Sequence, residues 1–175
     1  MNTYSLEQLN EMAADAFVQA LGQVFEHSPW VVVAAAERRP FQSEKALLAA
    51  CENALYGAKP AIQLELIRAH PDLAAKLDQL PKLTEFSQQE QGRAGFAALS
   101  PAVLEQMRDA LARYSERFGH PFILCVTEHP AEDVLPILEM RLAASADAER
   151  LACLYQIARI GWHRICSLLD PSLIS

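Results

Sequence analysis

Prolines and capping serines cut this chain into short stretches, and within most stretches apolar residues recur at helical spacing. That punctuation constrains the fold more than any other feature. Ser5 followed by Gln8 is a capping-box pattern, and Leu6, Leu9, Ala13, Ala16, Phe17, Ala20, Leu21 and Val24 then predict helix up to Phe25. Ser28 and Pro29 read as the N-cap and first residue of a short helix that Pro40 must end. Ser43 opens another that Gly57 stops, and Pro60 opens a fourth through Ile62, Leu66 and Ile67. Pro71 disfavours helical geometry at His70, which is therefore expected at a helix end. A polar stretch, 78–87, leads to Ser87, whose sequence SQQE fits a second capping box. Ser100 and Pro101 open a long amphipathic helix through Val103, Leu104, Met107, Leu111 and Tyr114 to Gly119, and two more helices are predicted at 131–144 and 147–169. Residues 122–126 have strand-like composition but no partner run, so extended chain is expected there. The sum is an all-α, single-domain multi-helix bundle over 1–175, without internal repeat or linker.

A chain of 175 residues with 51% hydrophobic residues can bury one substantial core. The net charge of -7, with basic residues scattered among acids, argues against nucleic acid as a partner. The longest apolar run, 30–36, is far too short to span a membrane, and the first five residues lack the charged and apolar regions of a secretion signal. Ser172, Leu173, Ile174 and Ser175 do not form the Ser-Lys-Leu peroxisomal address, so a cytoplasmic protein is expected. Cys51, Cys125, Cys153 and Cys166 show no C-x-x-C pairing, and each lies in an apolar stretch, which predicts four buried, reduced, structural thiols.

Chemistry must come from polar residues at constrained places. At about 100° per residue, Ile157, Gly161, Arg164 and Leu168 share one stripe of the last helix, flanked by Leu154 and Ile165, which turns Arg164 towards the core. An inward guanidinium needs a partner; an internal salt bridge, a snorkelling stem and a bound substrate carboxylate all satisfy it. His70 combines a near-neutral intrinsic pKa with a constrained backbone, which suits acid-base work, although His27, His120, His129 and His163 are also present. No pair of these histidines shows metal-ligand spacing with a supporting carboxylate. Helix capping alone would account for Ser87 and Glu90, but such a terminus also presents free N–H groups to a cleft. No Gly-rich phosphate loop and no G-x-S-x-G elbow occurs.

Four segments together carry a resemblance: FEHSPWV at 25–31, AHPDLA at 69–74, SQQEQ at 87–91 and RFGHPFI at 117–123. From about Leu9 to Leu169 the chain resembles the 2-oxo-4-hydroxy-4-carboxy-5-ureidoimidazoline (OHCU) decarboxylases. The resemblance implies an all-helical homodimer in urate degradation that needs no metal or organic cofactor and converts OHCU to (S)-allantoin. It also implies that His70 and Glu90 are catalytic and that Pro71, Ser87 and Arg164 bind substrate, together with backbone groups near Phe122 and Ile123. His120 departs from the family pattern, where an aromatic is usual. Two other readings stand beside this one: a non-catalytic helical interaction domain in which the same residues cap and pair, and metal-assisted hydrolysis, which bound zinc would reveal.

Overall fold

The structure is a computed structural model that describes residues 3–73 and 95–169. Those residues hold eight α-helices: α1 (Leu6–Glu11), α2 (Ala14–Leu21), α3 (Trp30–Ala36), α4 (Glu44–Gly57), α5 (Pro60–Arg68), α6 (Pro101–Phe118), α7 (Ala131–Leu142) and α8 (Ala146–Leu168). A 3-10 turn at Phe96–Ala98 precedes α6, and the only strand-like feature among the described residues is an isolated bridge between Tyr4 and Leu169. The fold is all-α, as the punctuation predicts. The chain forms two compact units, one of residues up to Ala69 together with those from Leu154 onward, the other running from His70 to Cys153.

In the first unit most local signals act as expected, and two do not. Ser5 Oγ accepts from the Gln8 N–H at 3.0 Å while Gln8 Oε1 accepts from the Ser5 N–H at 2.8 Å, a complete capping box. Ser43 Oγ caps α4 by accepting from the Ala46 N–H, and Pro60 occupies the first turn of α5. The first is the single helix expected up to Phe25, because Met12 and Ala13 take extended backbone (ψ 143° and 148°) and split it into α1 and α2. The cause is tertiary: the Arg39 guanidinium donates to the carbonyls of Leu9 and Met12, satisfying acceptors that continued helix would otherwise have used. Arg39 also lies over the Phe17 ring, 4.9 Å from its centroid. The second is the cap expected at Ser28: α3 starts at Trp30 with Pro29 as its N-cap and no side-chain capping bond, and Ser28 is buried instead.

The stripe predicted on the last helix holds for most of its apolar members, Leu168 being only half-buried. Leu154, Ile157 and Ile165 are buried, and the ring of fully buried Phe25 lies where a side chain on Gly161 would have to go. Three cysteines are buried as expected, and burial pushes the Cys51 thiol up to about 12 and that of Cys153 up to about 11. Cys166 corrects the expectation: it is exposed, because an apolar neighbourhood in sequence does not say which side of a helix a residue faces. Among the described residues no helix is long and apolar enough to cross a membrane.

In the second unit Ser100 caps α6 through the Val103 N–H, and Gly119 ends it in the left-handed conformation at φ 69°. Residues 121–125 then run without regular secondary structure, and a turn begins at Val126 before α7, so the lone apolar run forms no strand. Phe122 packs edge-on against Tyr114 of α6, with ring centroids 5.2 Å apart, and both join Met107, Leu111, Val134 and Leu138 in one core.

The close seating of Phe25 on Gly161 makes a specific prediction for Gly161→Ala. An added methyl would sit 2.8 Å from the ring of Phe25, which is fully buried. Overpacking of about 1–3 kcal/mol then outweighs the gain of about 1 kcal/mol that alanine brings to a helix interior. Urea unfolding should show net destabilisation; a stabilised variant would mean that the contact is loose.

Candidate active site

His70 follows the last turn of α5, whose C-cap is Ala69, and is 7% exposed, while Pro71 beside it is exposed. The expectation of a histidine at a helix end is met by this geometry, and the structure adds that its side chain is buried. His70 belongs to the second unit, as do Phe122 and Ile123; Arg164 belongs to the first, and Ser87 and Glu90 lie outside the described residues.

Phe122 and Ile123 are buried in a stretch without regular secondary structure, and they rest on a cluster that the sequence reading missed. Arg141, in the last turn of α7, donates from Nη1 to the Ile123 carbonyl at 2.6 Å and lies 4.5 Å over the Phe122 ring. Its Nε and Nη2 face Glu149 in the first turn of α8, with Nε 3.0 Å from Oε1 and Nη2 2.5 Å from the same oxygen. The Tyr114 hydroxyl also donates to Glu149, and Arg141 Nη2 lies 3.2 Å from Cys153 Sγ. The glutamate is fully buried and the arginine nearly so. Burial opposes the charge on Arg141, but the hydrogen bonds and charge of Glu149 outweigh it and hold the guanidinium above its ordinary pKa. Burial, followed by the influence of Cys153 and Glu149, pushes the Tyr114 phenol far up, so it remains a donor.

A signal for this cluster was present in the sequence. Ala131, Val134, Leu138 and Arg141 form one buried stripe of α7, the same pattern that singled out Arg164. Arg141 escaped notice because a basic residue in a last turn, like an acidic one in a first turn, also reads as an exposed charge placed to suit the helix dipole.

Arg164 is less deeply set than its stripe implies. Its side chain is 37% exposed. Nη2 donates to Glu26 Oε1 at 2.6 Å, and Nη1 donates to the Val24 carbonyl at 2.9 Å. The guanidinium therefore sits at the rim of the first unit, with an internal carboxylate as partner. His120 fills the place of the usual aromatic by acting as one: it is buried, stacks on Phe118 with ring centroids 5.9 Å apart, and meets Tyr114 edge-on. Two open hollows on the first unit, of about 520 and 460 Å³, are lined from α2 and α3 and their flanks, and no candidate residue lines either.

Comparison with known proteins adds an independent line. The family model described as OHCU decarboxylase matches residues 10–166. The 2-oxo-4-hydroxy-4-carboxy-5-ureidoimidazoline decarboxylase of Haloferax volcanii is 34% identical over 165 residues, covering 94% of this chain and 96% of the relative. The enzyme of the same name from Amia calva is 32% identical, with 94% of each chain covered. Among solved structures, an (S)-allantoin synthase superposes with a TM-score of 0.78 at 25% identity, covering 95% of this chain and 55% of that one. A structure titled OHCU decarboxylase in the presence of (S)-allantoin shares the fold, with a TM-score of 0.64 at 19% identity over 88% of this chain and 96% of that one.

The buried cluster yields a stability prediction. Glu149→Gln removes one charge and leaves Arg141 uncompensated, which should cost about 3–5 kcal/mol in urea unfolding. Glu139→Gln, which breaks an exposed pair with Arg113, should cost less than about 1 kcal/mol. Equal effects from the two substitutions would mean that the Arg141 site is solvated.

Proposed function

The chain belongs to the OHCU decarboxylase family, and from that premise we propose how its residues turn OHCU into (S)-allantoin in urate degradation, as a cytoplasmic homodimer that takes a small-molecule substrate. The observation that carries this reading is the family match over 10–166, a span that includes every candidate residue from His70 to Arg164.

The substrate's own chemistry sets the task. OHCU bears its carboxylate on a carbon next to a C=N bond, so when the C–C bond to the departing carbon dioxide breaks, its electron pair flows into that imine. An enol-like intermediate forms, and a proton added to one face of its carbon gives (S)-allantoin. The substrate supplies the electron sink. The protein supplies orientation, charge recognition and a directed proton.

In this scheme His70 takes the proton of the substrate hydroxyl near the departing carboxylate and later helps to protonate the intermediate. Its burial beside Pro71 supports that role, because a desolvated imidazole on a constrained backbone holds one orientation. Glu90 and Ser87 hydrogen-bond the ureido or ring N–H groups and fix the pose. Backbone groups at Phe122 and Ile123 line the heterocycle, and Arg164 anchors an anionic or carbonyl group. Arg164 is paired with Glu26, so an anion bound there shares or displaces an existing carboxylate.

Two variants test the assignment against freshly generated OHCU, followed by circular dichroism of the (S)-allantoin formed. His70→Asn should lower turnover by about 10²- to 10⁴-fold while the protein stays folded; near-normal turnover would remove His70 from the mechanism. Arg164→Leu keeps the apolar stripe and breaks a half-exposed pair with Glu26 and a bond to the Val24 carbonyl, so stability should fall by about 1–2 kcal/mol while substrate affinity or turnover is lost. Destabilisation with full activity would instead make the Glu26 pair a purely structural bridge.

A further inference from the structure

The reaction scheme leaves the buried cluster of the second unit unused, although the cluster grips the segment on which the scheme relies. A trans peptide unit is planar, so its C=O and N–H point in opposite directions. With the Ile123 carbonyl fixed on Arg141 Nη1 at 2.6 Å, the N–H of Leu124 is turned to the other side of the segment. Among the described residues no acceptor takes that N–H.

The guanidinium that sets this plane cannot rotate. Glu149 holds Nε and Nη2 together, the Tyr114 hydroxyl holds Glu149 from α6, and the Phe122 ring lies beneath the guanidinium. Lysine could not substitute, since a single Nζ cannot face Glu149, reach the Ile123 carbonyl and stack on a ring at once.

We propose that Arg141 is a positioning residue for the decarboxylation: by holding the Ile123 carbonyl and the Phe122 ring, it fixes the peptide plane that aims the Leu124 N–H at a carbonyl oxygen of the bound heterocycle. This rests on the reading above that the segment at Phe122 and Ile123 lines the substrate. Arg141 touches no reacting atom in this scheme. Its effect is on recognition, through the backbone it holds.

The test uses the double variant Arg141→Met/Glu149→Met, which removes both charges together and leaves neither buried alone, an exchange that buried ion pairs often tolerate. With fresh OHCU, the folded variant should show KM raised about tenfold, the loss of one well-placed hydrogen bond. Its kcat should stay within about twofold and its pH dependence should be unchanged, because His70 is untouched. An unchanged KM in the folded variant overturns the proposal and leaves the decarboxylase reading standing. If the unaltered chain does not turn over OHCU, that reading fails and the proposal falls with it. A second measurement needs no substitution: in the ¹⁵N-labelled natural chain, saturating (S)-allantoin should shift the Leu124 amide resonance. Shifts elsewhere with an unmoved Leu124 amide would overturn it.

Discussion

A guanidinium and a carboxylate taken out of water together, Arg141 and Glu149, hold the second unit in register. Desolvating two such ions costs several kcal/mol each, and their attraction repays this only when the remaining donors and acceptors are also filled. Here they are filled, by the Ile123 carbonyl, the Tyr114 hydroxyl and the Cys153 sulfur. Arg141 closes α7 and Glu149 opens α8, so each charge also sits at the helix end whose dipole favours it. The stretch at 121–125 belongs to no helix or sheet that would complete its hydrogen bonding, and among the described residues this pair fixes one of its carbonyls.

The same use of arginine recurs in the first unit. An all-α chain leaves carbonyls without partners wherever a helix stops, and here guanidinium groups reach them from a distance. Arg39 takes carbonyls at the end of α1, and Arg164 takes that of Val24 beyond the end of α2. Each arginine also engages a second group: the Phe17 ring for Arg39, and Glu26 for Arg164. Five donors in a rigid fork allow this, and lysine would lose the geometry.

Signals that act within a few residues were legible in the sequence. Ser5 with Gln8, Ser43, Pro60, Ser100 and Gly119 mark helix ends through contacts no more than four residues away, and each works in the structure as its local chemistry requires. The failures share the opposite character. The break at Met12 depends on Arg39, the burial of Arg141 depends on Glu149 across a turn, and Cys166 faces outward although its neighbours are apolar. Periodicity places a residue on a stripe of its helix. What covers the stripe is decided elsewhere in the chain, which is why Arg141 and Arg164 share one pattern and end with different exposures. Of the candidate site, the position of His70 at a helix end followed from Pro71, while the support beneath Phe122 and Ile123 did not follow from any local motif.

A decarboxylation in which the substrate is its own electron sink places unusual weight on rigidity. The enzyme then has little covalent chemistry to perform, and its contribution is the fixed placement of dipoles and one proton donor around a reactive ring. Backbone donors serve that purpose only if the peptide planes carrying them cannot turn, and a segment outside any helix or sheet is the backbone least able to resist turning by itself. An apolar core beneath such a segment would bury it without choosing between the two directions its carbonyl could face. A buried ion pair with a directional donor makes that choice. On this argument Arg141 and Glu149 are kept for the orientation they impose, even where a well-packed hydrophobic pair would match their contribution to stability.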